Sequence, residues 1–81
     1  MKIDYTRNAL DTLKNLPLPI RKAFYKQAGY LLENLHHPSL HAKKFSESED
    51  LWQARVNKDW RFYFKIEGDT YIIVRIIPHP K

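Results

Sequence analysis

The chain has 81 residues, 43% of them hydrophobic and 14% aromatic, with two glycines and a net charge of +5. That is enough apolar material for one folded domain over residues 1–81, and too much for a disordered chain. The absence of cysteine excludes a disulfide framework, a thiolate nucleophile and a cysteine-based zinc site. MKIDYTRNAL at the N-terminus holds no apolar h-region, and no apolar run approaches the roughly 18–20 residues of a membrane span. A cytoplasmic protein without membrane contact is therefore expected. The 14 Lys+Arg against 9 Asp+Glu favour a polyanionic partner.

In chain order, Lys2–Tyr5 reads as a short strand, with Ile3 and Tyr5 alternating. Thr6 is a candidate N-cap for a helix that buries Ala9, Leu10, Leu13 and Leu16. Pro17 ends that helix, and Pro19 sits in the first turn of the next, where proline is tolerated. Ile20, Phe24, Ala28, Leu31 and Leu35 recur at helical spacing, flanked by Ala23 and Leu32, and Pro38 stops the run. The short break between the helices predicts an antiparallel hairpin. Residues 38–50 read as a loop, basic at first (His41, Lys43, Lys44) and then acidic (Glu47, Glu49, Asp50). Three strands follow at 51–57, 60–67 and 70–77, joined through Lys58-Asp59 and Gly68-Asp69. The expected fold is α+β, in the order β-α-α-β-β-β, with the helix hairpin on one face of a small, mainly antiparallel sheet.

Strand residues alternate between faces. Trp52, Ala54 and Val56, then Trp60, Phe62, Phe64 and Ile66, then Ile72, Val74 and Ile76 form apolar sets for the helices to cover. Strict alternation places Arg55, Arg61, Tyr63, Lys65, Tyr71 and Arg75 together on the other face, where every charge is positive. Cations for phosphates and rings for splayed bases are what single-stranded nucleic acid needs. Arginine suits phosphate through its planar two-pronged donor set. The same residues would also protect an outer sheet face from aggregation.

The order of elements, and the run LWQARVNKDWRFYFKIEGDTYIIVRIIPH, resemble the RelE/ParE superfamily of toxins from type II toxin–antitoxin systems. The likeness rests on Trp52 and Arg55 in an aromatic-x-x-Arg strand, a tight turn into Trp60-Arg61, an apolar last strand ending at His79, and Leu16-Pro17 between the helices. It covers nearly the whole chain. It implies a cytoplasmic toxin held inactive by a cognate antitoxin protein. In the RelE-like branch it implies an endoribonuclease that cleaves mRNA, often on the ribosome. The ParE branch shares the fold and inhibits DNA gyrase without cutting RNA, and fold alone does not choose between them. An inactive family member is a further alternative. Arg61 matches the family's central phosphate-binding arginine, and His79 the position where several members place a general acid or base. Arg55, Lys43 and Lys44 fall where members carry further basic groups. Many active members follow that histidine with arginine or tyrosine; here Pro80-Lys81 follow, and Lys81 is the cation on offer.

RNA cleavage without metal uses the ribose 2′-OH as nucleophile. The site must accept its proton, stabilise charge on phosphorus and protonate the leaving 5′-oxygen. Arg61 and Arg55 are the candidates for the charge. His79 is the candidate for proton transfer, because an unperturbed imidazole pKa of roughly 6.5 suits neutral pH. Lys43, Lys44, Tyr63, Lys65, Arg75 and Lys81 are the expected RNA-binding residues. No cofactor is expected, and His36, His37 and His41 form no recognised metal spacing and read as ordinary loop residues.

Overall fold

The computed structural model describes residues 1–79. The order is β1 (Lys2–Tyr5), α1 (Arg7–Asn15), α2 (Leu18–Glu33), a 3-10 turn (Pro38–Leu40), β2 (Lys43–Ser46), β3 (Leu51–Arg55), β4 (Trp60–Glu67) and β5 (Thr70–Pro78). The five strands form one sheet in the order β1-β5-β4-β3-β2. β1 runs parallel to β5, and every other pair is antiparallel. The two helices cover one face, which is the expected α+β architecture. Among the described residues no helix is long and apolar enough to cross a membrane.

Thr6 begins α1 as expected: its Oγ1 accepts from the Ala9 N–H at 3.2 Å, satisfying a donor the helix leaves free. α1 spans only nine residues, so its buried stripe is narrow. Ala9, Leu13 and Leu16 face the sheet, while Leu10, a turn of about 100° from Ala9, is 42% exposed rather than buried. Arg21, in the first turns of α2, donates through Nη2 to the carbonyls of Lys14 and Leu16 and so ties the end of α1 to the next helix. α2 ends at Glu33, earlier than Pro38 alone requires, with Asn34 as its C-cap. Leu32 is exposed for the same angular reason as Leu10.

Phe24 and Leu31 of α2, Leu40, Phe62 and Phe64 of β4 and Ile73 of β5 make the fully buried centre. Phe24 meets Phe62 edge-on at 5.3 Å between centroids, a geometry that aromatic quadrupoles favour. Burying each large side chain contributes about 1.5–3 kcal/mol.

Two sequence expectations are corrected. First, residues 43–46 are not loop but an edge strand, pairing Lys43 with Gln53 and Lys44 with Trp52. A strand of Lys-Lys-Phe-Ser lacks an apolar alternation to announce it, and such polar edges are how sheets avoid further pairing. Second, β5 does not alternate strictly. Phe64 pairs with Ile73 but Tyr63 with Arg75, so Val74 is an extra residue in a β-bulge. Tyr71 and Ile73 therefore join the core, while Ile72 lies opposite Lys65 on the outer side. The expected placement of Tyr71 on the basic face is overturned. The Val74 carbonyl, displaced from the ladder, accepts from Thr6 Oγ1 at 2.9 Å and Asn8 Nδ2 at 3.4 Å. The start of α1 thus holds the bulge in place.

Candidate nucleic-acid interface

The sheet's outer face divides into two parts. At one end of β3 and β4 lies a cleft of about 400 Å³ lined by His41, Ala42, Lys43, Gln53, Arg55, Arg61 and His79. Its floor is Gln53 and Arg55 of β3 with Arg61 of β4, and Arg55 and Arg61 are directly paired across the two strands. The edge strand β2 and the residues leading into it supply His41 and Lys43. His79 arrives just past β5, where its backbone N–H donates to the Asp59 carbonyl at 2.7 Å. Among the described residues no carboxylate lines the cleft.

Two arginines side by side repel, so each must be held. The Asn57–Asp59 turn holds Arg61. Asn57 Oδ1 accepts from the N–H groups of Asp59 and Trp60 at 2.8 and 2.9 Å. Arg61 Nη1 then donates to the carbonyls of Asn57 and Trp60 at 2.7 and 2.9 Å. Burial, and then the Arg55 charge, pull the Arg61 guanidinium below its ordinary value, while Tyr63 and Asp59 oppose the shift. Those costs would be repaid by an anion. Arg55 is held through its backbone: buried Gln27 of α2 donates Nε2 to the Arg55 carbonyl at 2.8 Å and to the Ser39 carbonyl at 2.9 Å. Ser39 Oγ donates back to Gln27 Oε1 at 2.9 Å. One amide thus links the floor of the cleft to the 3-10 turn that leads to His41. Arg55 Nε is buried and has no partner among the described residues. Arg21 Nε, at the junction of the two helices, is in the same state.

Among the expected site residues, Arg55, Arg61, Lys43 and His79 come together. Lys44 does not. It points to the other side of β2, where Nζ contacts Asp50 Oδ1 at 2.5 Å and lies 5.3 Å from the centroid of the Trp52 ring. Neighbouring strand residues face opposite ways, so two adjacent lysines cannot serve one face. Tyr63 lies on the outer face but is only 5% exposed. Its hydroxyl accepts from Gln53 Nε2 at 2.8 Å, Phe45 packs edge-on against its ring at 5.0 Å, and the Arg75 guanidinium lies 5.4 Å from its centroid. It supports Gln53 at the cleft floor and is not open for a base. Lys65 and Arg75 share the outer face with it but lie away from the cleft lining. Lys81 lies outside the described residues. Gln27, and His41, which the sequence presents as an ordinary loop residue, also belong to this region. Gln27 had a signal, since it falls with Phe24, Ala28 and Leu31 on the buried stripe of α2.

Known proteins share the family and the fold of this chain. The family of ParE toxins of type II toxin–antitoxin systems (parDE) matches residues 3–80. The chain belongs to this family. No curated protein is similar enough in sequence to count as a match. Solved structures share the fold at low identity. The YoeB/ParE toxin from Agrobacterium tumefaciens superposes with a TM-score of 0.82 at 12% identity, over 99% of this chain and 100% of that one. The archaeal RelE-RelB complex from Pyrococcus horikoshii gives 0.77 at 18%, over 95% and 92%. The isolated E. coli RelE toxin gives 0.76 at 13%, over 98% and 84%.

Proposed function

We propose that this toxin is a RelE-like endoribonuclease that cleaves mRNA by attack of the ribose 2′-OH, without a metal. The observation that supports it most is the joining of Arg55, Arg61, Lys43 and His79 in one cleft that no carboxylate of the described residues lines. Arg61 and Arg55 bind the scissile phosphate and meet the charge that grows on it, His79 transfers a proton, and Lys43 holds the strand. Lys65 and Arg75 extend the positive track along which RNA approaches, in the cytoplasm and on ribosome-bound message. A cognate antitoxin restrains the toxin, as the RelE-RelB pairing of the Pyrococcus horikoshii relative suggests. An acidic antitoxin segment over the cleft would suit its charge.

The test is incubation of the purified chain with a single-stranded RNA and with the same sequence carrying 2′-deoxy sugars. Cleavage of the first alone supports the reading; equal cutting of both, or of neither, contradicts it. Salt titration of RNA binding should fall with a slope of about −0.7 per phosphate contacted.

The match to the ParE family favours a second reading, inhibition of DNA gyrase without RNA cleavage. Loss of gyrase supercoiling on adding the chain, with RNA left intact, would select it.

A further inference from the structure

Attack by a 2′-OH needs two proton transfers, one from the nucleophile and one to the leaving oxygen. His79 supplies one imidazole. The cleft holds a second. His41 follows the 3-10 turn with φ 48° and ψ 41°, the left-handed region. Glycine adopts that conformation without strain, and asparagine, aspartate and histidine enter it more readily than other side chains, as Asp50 does here with φ 53°. A side chain there is uncommon, and backbone strain collects where function repays it. The chain nevertheless places an imidazole there, at the entrance of β2 and in the lining of the cleft. The other two loop histidines are accounted for or absent from the cleft. His37 stacks on Tyr30 at 3.9 Å and accepts from the Ser39 N–H through Nδ1, while His36 does not line it.

Strand order fixes how the two imidazoles meet. β5 and β2 flank β4 and β3, so His79 and His41 come from opposite sides of the floor that carries Arg61 and Arg55. A phosphate seated on the arginines would lie between them. The charged and titratable groups facing His41 are Lys43 next to it on β2, Arg55 on β3, Arg61 on β4 and His79 beyond β5.

We propose that His41 is the second proton-transfer group of this cleft, partner to His79. This rests on the ribonuclease reading above. The neutral imidazole of the pair takes the 2′-OH proton as O2′ bonds to phosphorus. The protonated one delivers its proton to O5′ as the P–O5′ bond breaks. The products are a 2′,3′-cyclic phosphate and a free 5′-hydroxyl, and the pair ends with its proton on the opposite ring.

Two substitutions test this without disturbing the turn. Glycine adopts the left-handed conformation freely and asparagine tolerates it, so His41→Gly and His41→Asn should melt as the wild type does. Single-turnover cleavage of a single-stranded RNA oligonucleotide is followed across the pH range in the full chain. The wild type should give a bell-shaped profile, since one imidazole must be neutral and the other charged. Both variants should lose about 10²–10⁴-fold in rate, bind RNA with little change, and show one pH limb where the wild type has two. Imidazole added to the His41→Gly buffer should restore part of the rate. The limb that disappears identifies which proton His41 moves. Variants that cleave with both limbs intact, or that lose only RNA affinity, would overturn the proposal and leave the ribonuclease reading standing. A wild type that cleaves no RNA would overturn both.

Discussion

Replacing Gln27 by methionine tests whether one buried amide braces the cleft. Gln27 is 5% exposed and takes part in three hydrogen bonds, to the Ser39 and Arg55 carbonyls and from Ser39 Oγ. Methionine keeps the length and removes every polar atom. Each bond contributes about 0.5–1.5 kcal/mol net, and the abandoned partners lie in a partly buried site, so the loss should be about 2–4 kcal/mol. A chain of this length has about 4–12 kcal/mol of stability in all. With a urea slope of about 1–3 kcal/mol per molar, the midpoint should fall by about 0.7–4 M. Ser39→Ala removes only one of the bonds and should cost a fraction of that. Chemical denaturation followed by tryptophan fluorescence reads both. The same substitution should slow RNA cleavage, because the floor and the turn leading to His41 lose their common tie. An unchanged urea midpoint in Gln27→Met would refute the bracing role.

The two adjacent lysines should behave differently. Lys43→Ala should weaken RNA binding and lower the salt slope by about 0.7, whereas Lys44→Ala should leave both unchanged; filter binding at several salt concentrations decides. Arg61→Lys should lower cleavage by about 10²–10³-fold, since one ammonium cannot both hold the two turn carbonyls and present a fork to phosphate. A lysine variant of near wild-type rate would contradict this. The hydrogen bond from Lys44 holds the Asp50 carboxyl below its ordinary value. Its folded value is thus lower than its unfolded one, so its contribution to stability is present above the unfolded value and lost as pH falls through the folded one. Side-chain NMR titration should show the depression in wild type and its absence in Lys44→Met.

Much of the fold is legible because its cues are local. The β4 run Trp60–Glu67 alternates without interruption, and Thr6, Pro17 and Pro19 punctuate the helices at the expected places. What escaped depends on partners distant in sequence. The Val74 bulge is held by Thr6 and Asn8, some 66–68 residues away, and nothing within β5 itself marks it. The edge strand β2 has no apolar alternation because Phe45, packed against Tyr63, is its one apolar residue among Lys43, Lys44 and Ser46. Arg55 and Arg61 share one face, as alternation predicts, because β3 and β4 form a hairpin whose register the pattern fixes. Lys44 went to the other face because 43–46 was read as loop, where adjacent residues need not oppose each other. His41 belongs to the cleft only because the 3-10 turn carries the chain back to the sheet edge.

The central claim is that the arginine-floored cleft cuts RNA, and it is met most directly by inducing this chain alone in a bacterial host and mapping the ends of an abundant mRNA by primer extension. New internal 5′ ends should appear with the wild type and vanish with Arg61→Ala and with His79→Ala. Growth arrest with intact mRNA, or new ends that persist in both variants, would contradict it.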